Sequence, residues 1–444
     1  MSAAGRGDEV YRVPPGGGPE PSAAERAWVL ELERELKADR PVALGALLSA
    51  TVLLRAAAVA AGIAVQFDIS DLAGGRPNGL AIGLVGASQA VTEMLFAPFL
   101  ARYADRFGRS RFLVAGPVVG MLGALLLVLG IAPAQLGAAR LIEGIGAAAF
   151  TPVALAFIAA STTRDPSGRA QASGAFEAST LGGYAVGFLL GPFAWHSLGR
   201  GAFLLIAAVY LAAAVVCLGL IPRVPPLPVS SLRQVMRTAL GHGPMRAFLP
   251  AWLSGWALLG AFLSNLPALL RHAPEHGQAL MHHFDERLIG GILVSWVLMF
   301  LVGIAAWTPY LGRHRPLDVM KRAVPGAWFI LVALLGLNQL GLQLAPVFIP
   351  VLAVGVLLLA GFGPAAVTYL ADCSEALAAD RSALMSFYTI ALAGGGAIGA
   401  ILGGLATRLL LANGLIVLGA LLSLLTFALL FEASRREAPH PAAA

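Results

Sequence analysis

Charge is what this chain has least of. Asp, Glu, Lys and Arg together make 12% of its 444 residues, about half of the roughly 25% that a soluble domain carries. So few charges cannot dress a water-facing surface of this size, which excludes an ordinary soluble domain. Cysteine is almost missing as well. Cys217 falls within the sixth apolar run and Cys373 just past the tenth, so no structural disulfide is expected. No apolar leader precedes the first run, because the first 40 residues are polar, and no cleavable signal peptide is expected. No Gly-rich phosphate loop is present, which leaves direct ATP drive unsupported. Nor is there a nucleophile elbow or a metal-ligating helix. Asp372, Cys373 and Ser374 lie together, and they read as the polar start of a loop, not as a catalytic group. The expectation is therefore no enzyme, no cofactor and no metal.

What the chain has instead is hydrophobic length. It is 58% hydrophobic, with a mean hydropathy of +0.79. Apolar runs of about 20 residues, the length that crosses a bilayer as a helix, recur near 43–67, 78–100, 112–131, 134–158, 173–195, 201–221, 246–270, 288–308, 323–341, 345–369, 383–407 and 411–431. These twelve runs predict an all-α membrane protein with twelve transmembrane helices. The 52 glycines sit largely inside them, where small residues let helices approach closely in lipid. The net charge of +6 is not a nucleic-acid signal. Most Lys and Arg fall in the tails and the even-numbered loops, the bias that marks a cytoplasmic face. Both termini are expected in the cytoplasm, and the protein in the plasma membrane as a monomer.

The organisation follows. Residues 1–41 form a cytoplasmic tail whose first 21 residues read as disordered. Ser22 and Glu25 make a capping-box pattern, and Trp28, Val29, Leu32 and Leu36 follow at helical spacing, which predicts a short interfacial helix. Residues 42–221 form a first six-helix bundle and 246–431 a second. The Pro-rich, basic stretch 222–245, with Arg223, Arg233 and Arg237, links them in the cytoplasm, and 432–444 is a second tail. The halves are related. At a shift of 212, Phe150 meets Phe362, Pro152 meets Pro364 and Arg169 meets Arg381. Gly182, Gly183, Gly187 and Gly191 meet Gly394, Gly395, Gly399 and Gly403. At a shift of 204, Gly108, Arg109 and Arg111 meet Gly312, Arg313 and Arg315. A parallel repeat of two bundles is one plan for a membrane transporter.

Three motifs then carry a family resemblance. Between the second and third runs stands Ala101-Arg-Tyr-Ala-Asp105-Arg106-Phe-Gly108-Arg109-Ser-Arg111. It resembles the loop motif of the major facilitator superfamily, matching at Asp105, Arg106, Gly108, Arg109 and Arg111 and departing at Ala101 and Tyr103. The resemblance, which extends over nearly all of the chain, implies a cytoplasmic gate in which Asp105 and its arginines form contacts in one conformation and break them in another. In the fourth run Arg140-Leu-Ile-Glu143-Gly144 resembles a pattern tied to proton coupling in that family. The i, i+3 spacing puts the two charges on one helix face. In the fifth run Gly187-Phe-Leu-Leu-Gly191-Pro192 resembles the core of the motif of its drug:proton antiporters. It departs after the proline, where Ala194 and Trp195 stand, and upstream at Ala178.

Two further charges lie deep in the runs, Arg55 and Glu93. With Arg140 and Glu143 they make two positive and two negative charges, all in the first half, where each can find a partner. Asp68 and Asp71 lie near the outer mouth of the first run, and Glu177 near the inner end of the fifth. The second half offers Trp252, Trp256, Asn265, Trp296, Phe300, Phe387 and Tyr388 instead. This predicts a division of labour: a proton-handling first half with Glu93 and Glu143 as carriers, and an apolar, aromatic wall for substrate in the second. His272, His276, His282 and His283 crowd one outer loop, which reads as solvated and not as a metal site. The whole predicts a secondary active transporter in which protons drive efflux of an amphiphilic or apolar small molecule by alternating access. Its partners are that substrate, protons and the bilayer. A nutrient importer, a lipid flippase and a sensor of the same fold are the alternatives. The exit of the sixth run, Ile221-Pro-Arg-Val-Pro-Pro, lacks the stretch typical of sugar importers.

Overall fold

A computed structural model describes residues 23–75, 78–161, 166–221, 243–375 and 381–436. The first 22 residues, most of the expected linker (222–242) and the last eight residues lie outside this set, as do the side chains of the expected interfacial helix, Asp105, Cys373, Arg381 and Phe387. The described residues form thirteen α-helices and two single 3-10 turns, with no strand. Ten stretches of helix are long and apolar enough to cross a membrane.

The first helix, α1 (Ala23–Leu72), runs unbroken through Pro41. The short separate helix expected before the first span is therefore continuous with it. α2 (Gly79–Phe107) starts under an Asn78 side-chain cap on the Ala81 amide at 3.2 Å. A single residue, Gly108, separates α2 from α3 (Arg109–Leu129). Its φ of 100° is one that side-chain-bearing residues rarely adopt, so glycine at the heart of the basic motif is a backbone requirement. α4 (Pro133–Ser161), α5 (Pro166–Leu198) and α6 (Ala202–Leu220) complete the first half.

The second half begins with α7 (Gly243–Arg271) and α8 (Glu286–Leu311). A short basic helix follows, α9 (Pro316–Ala323), then α10 (Pro325–Leu340), α11 (Ala345–Leu359), α12 (Phe362–Glu375) and α13 (Arg381–Arg436). Two features depart from the apolar runs. The stretch 316–323, too charged to be counted in a run, is helical and leads directly into α10. The run at 345–369 breaks at Ala360–Gly361, where Gly361 is pressed against the Trp307 indole so closely that a Cβ would stand 2.6 Å from the ring.

Two of the ten stretches are about twice the length of one crossing: Gly174–Leu220, of 47 residues, and Tyr388–Arg436, of 49. Each has a break at its middle. The first is interrupted by the 3-10 turn Gly199–Gly201, the second by Leu411, whose φ of 55° and ψ of −133° are not helical.

Glycine ladders set the packing. On α5, a Cβ at Gly187 would stand 2.7 Å from the Ala56 carbonyl oxygen of α1, and one at Gly191 would stand 2.9 Å from that of Ala60. On α13, Gly395, Gly399 and Gly403 stand in the same way against Leu253, Ala257 and Ala261 of α7. Both ladders advance four residues on each helix per rung. The halves meet mainly along the seams where α5 packs on α8, α2 on α13, and α1 on α7. Between α2 and α13, Gly83 lies against Gly404.

Candidate functional site

The four deep charges of the first half come together in two pairs. Arg55 on α1 faces Glu93 on α2 at 3.5 Å, both side chains less than a tenth exposed, and donates to Thr151 Oγ1 of α4 at 3.0 Å. Arg140 and Glu143, one helical turn apart on α4, are paired directly and buried. Arg140 also donates to Gln89 Oε1 on α2 and, at 3.4 Å, to the Ala58 carbonyl of α1. The Tyr210 ring of α6 stands beside this pair, held over Gly120 of α3, where any Cβ would clash with it. Helices α1, α2, α4 and α6 thus surround a polar knot within the apolar interior. Charges at that depth are costly without partners, and each has one here. Gln89, Thr151 and Tyr210 had no signal in the sequence, because neutral polar residues scattered along apolar helices reveal their facing only once the helices are assembled.

Two adjoining cavities lie beside the knot. The smaller, about 200 Å³, is walled by Arg55, Glu93, Arg140 and Gln89. The larger, about 480 Å³, is lined by Trp252 and Trp256 of α7, Trp296 and Phe300 of α8, and Tyr388 of α13. Tyr184, Trp256, Leu259 and Leu263 border both. The wall of the larger cavity is apolar and aromatic, with one carboxylate among the described residues, that of Glu177 on α5. The Tyr388 hydroxyl donates to Glu177 Oε2 at 3.3 Å across the two halves. Glu177 belongs with the cavity more than with a helix end. Asn265 stands apart from both. It is buried, donates to the Ala261 carbonyl at 2.9 Å and the Ala400 carbonyl at 3.4 Å, and so serves the α7–α13 ladder.

The remaining motif residues are spread over the seams. Gly187 and Gly191 pack α5 on α1, as above, while Pro192 meets Gly290 of α8. At the basic end of the molecule Arg109 is buried and donates to the Ala156 carbonyl of α4 at 3.1 Å. Arg106 and Arg111 are exposed, with the Arg106 guanidinium 5.5 Å from the Phe107 ring centre.

The opposite end carries an ionic network that the motifs did not announce. Arg271, the last residue of α7, donates to Asp71 of α1 at 2.7 Å and to Glu286 of α8 at 2.8 Å, and lies over the Phe67 ring. Arg200 reaches Asp68 at 3.3 Å. Gln66 of α1 donates to the Leu263 carbonyl of α7 at 3.0 Å. His196 of α5 meets Glu286 at 3.1 Å and Asp285 at 3.3 Å. The loop between α7 and α8 is itself tied down: Asn338 accepts from the Leu280 amide at 3.1 Å and donates to Asn413 at 2.8 Å. Most of these partners lie on different helices, and Arg271 and Asp71 are 200 residues apart in sequence, which is why no local pattern announced them.

The sequence profile described as Major Facilitator Superfamily matches residues 42–374. Multidrug resistance protein 1 of Bacillus subtilis is 33% identical over 138 residues, 31% of this chain and 35% of that protein. The lysophospholipid transporter LplT of Klebsiella pneumoniae is 33% identical over 147 residues, 31% of this chain and 35% of that protein. The match thus spans about a third of the length of each curated relative. Among solved structures, a mutant of the nucleoside transporter NupG superposes with a TM-score of 0.70 at 14% identity, covering 88% of this chain and 99% of that one. A POT family transporter in complex with 5-aminolevulinic acid gives 0.65 at 17%, covering 88% and 96%. At these identities the structures speak for the fold alone.

Proposed function

The chain belongs to the Major Facilitator Superfamily, a family of transporters, and on that premise we propose that it is a proton-coupled exporter of an amphiphilic or apolar small molecule, working by alternating access. The observation that carries this reading is the adjacency of two unlike cavities. An apolar, aromatic chamber of about 480 Å³ has the size of a drug-sized ligand pocket. It borders a smaller chamber walled by Glu93, Arg55 and Arg140, where protonation of a carboxylate would alter the charge that substrate meets.

The architecture is proposed to match. Gly174–Leu220 and Tyr388–Arg436 each count as two crossings, turning at Gly199–Gly201 and at Leu411, which brings ten stretches to twelve. The two ladders, Gly187 and Gly191 on α1 and Gly399 and Gly403 on α7, are equivalent contacts in two repeated bundles, 42–221 and 246–431. The end carrying Arg102–Arg111 is the cytoplasmic one, with both termini there, and Asp105, Arg106, Gly108, Arg109 and Arg111 form its gate. The network around Arg271 is the external closure. Trp252, Trp256, Trp296 and Tyr388 contact substrate, while Arg55, Glu93, Arg140 and Glu143 couple it to protons.

A second reading is favoured by the lysophospholipid transporter among the relatives together with the apolar wall: the cargo would be a single-chain lipid. Expression in a host lacking its own efflux systems tests the first reading. Raised tolerance and lowered accumulation of amphiphilic dyes are expected. Faster dye uptake would favour an importer, and lysolipid movement without any dye effect would favour the lipid reading.

A further inference from the structure

We infer that the outer ends of α5 and α8 carry a binding site for a divalent transition-metal ion of the zinc type, built from His196, Asp285 and Glu286. His196 Nδ1 stands 3.1 Å from Glu286 Oε2 and 3.3 Å from Asp285 Oδ2. The three ligand atoms all lie within 4.8 Å of one another, the one such group among the described residues. Zinc takes nitrogen and carboxylate oxygen at about 2.0–2.2 Å. Neighbouring donors around such an ion therefore lie roughly 3.0–3.5 Å apart, which is the spacing between the histidine and each carboxylate.

The facing donor atoms now pair with one another, His196 Nδ1 with Glu286 Oε2 at 3.1 Å, a contact that a bound ion would replace. Asp285 uses its other oxygen to cap α8, accepting from the Arg287 amide at 2.8 Å. Glu286 uses its other oxygen for Arg271 at 2.8 Å. Each carboxylate is thus oriented by a second partner while the remaining oxygen faces His196, the arrangement that holds ligands in place around a metal. Two cations stand near and must be weighed. Arg271 is already shared between Glu286 and Asp71. Arg287 lays its guanidinium over the Phe193 ring, 6.0 Å from its centre. Asp71 and Glu286 thus share the guanidinium of Arg271, while the side chain of Asp285 faces His196, which leaves room for further positive charge there. None of the four histidines of the α7–α8 loop belongs to the group: His276 pairs with Glu275, and His282 lies at a tilt beside Phe284.

The ligands come from both halves, so an ion here clamps α5 to α8. That consequence for transport rests on the alternating-access reading, whereas metal binding does not. The test is calorimetric titration of zinc chloride into the full chain in lipid nanodiscs, stripped of metal beforehand. One saturable site is expected, weakened at least tenfold in His196→Ala and in Asp285→Asn and unchanged in His276→Ala. Size-exclusion profiles identical to the parent would establish that the variants are folded. Absence of saturable binding, or equal binding in His196→Ala and Asp285→Asn, would overturn the site. If zinc binds as expected but does not slow transport, the metal site stands and the clamp does not.

Discussion

Arg55 of α1 and Glu93 of α2 face each other at 3.5 Å in the apolar interior, and both also wall the smaller of the two adjoining cavities. A pair so placed is costly to keep unless it is used. Protonating Glu93 would release Arg55 to other partners, Thr151 already being one at 3.0 Å. The first prediction is that Glu93→Gln uncouples transport from the proton gradient, reducing gradient-driven flux at least tenfold while substrate still binds. Tryptophan-fluorescence titration measures the binding, and vesicle flux the coupling. Full coupling in this variant would remove Glu93 from the mechanism.

Glu143 differs in kind, because its partner sits one turn away on the same helix. Breaking a buried ion pair by removing one partner costs about 3–5 kcal/mol. Glu143→Ala should therefore lower thermal stability markedly, while Glu143→Gln keeps an acceptor for Arg140 and folds. The amide variant should nevertheless lose proton coupling. If it transports normally, the pair is structural.

The glycine ladders make a stability prediction. Gly187→Leu and Gly399→Leu each force a side chain into the carbonyl of a facing helix, and overpacking costs about 1–3 kcal/mol or more. Gly182, five residues earlier on the same helix and on another face, has nothing within 4 Å of an added Cβ. Gly182→Ala should be neutral, which thermal unfolding in detergent would show. Equal effects at Gly182 and Gly187 would mean the ladder does not hold α5 to α1.

At the end opposite the basic turn, Arg271→Ala cuts both the Asp71 and the Glu286 bonds. These groups are partly exposed, so each bond contributes about 0.5–1 kcal/mol after screening. The expected result is a shift of severalfold toward the state open at that end, read as faster labelling of cysteines placed at lining positions. Unchanged labelling would show that the network is incidental to closure. At the basic end, Asp105→Asn should slow turnover more than it alters substrate preference, and a changed preference at full turnover would contradict a gating role.

How much of this was legible in sequence depended on range. The apolar runs fell largely on helix, though ten stretches and not twelve are long and apolar enough to cross a membrane, and the gap in the runs at 408–410 fell beside the break at Leu411. Charges expected to pair did so, Arg55 with Glu93 and Arg140 with Glu143, because lipid leaves a buried charge few alternatives. Trp252, Trp256, Trp296 and Tyr388 came to one cavity, but Asn265 did not. Its amide is used on the Ala261 and Ala400 carbonyls, and helix rotation, which sets such choices, is invisible in an apolar run. The network at Arg271 was hidden for another reason: its partner Asp71 lies 200 residues away, and each was an ordinary helix-end charge when seen alone. Nor did the sequence show Glu177 bonded to Tyr388, which joins the two halves at the cavity wall.

The central claim, that a proton gradient drives an amphiphile through this chain, is tested most directly in vesicles reconstituted with the full chain and loaded with an acidic lumen. Outflow of protons should drive a lipophilic dye inward against its gradient, and a protonophore or the double substitution Glu93→Gln, Glu143→Gln should abolish the accumulation. Accumulation that persists with the gradient collapsed, or with both glutamates replaced, would contradict the account.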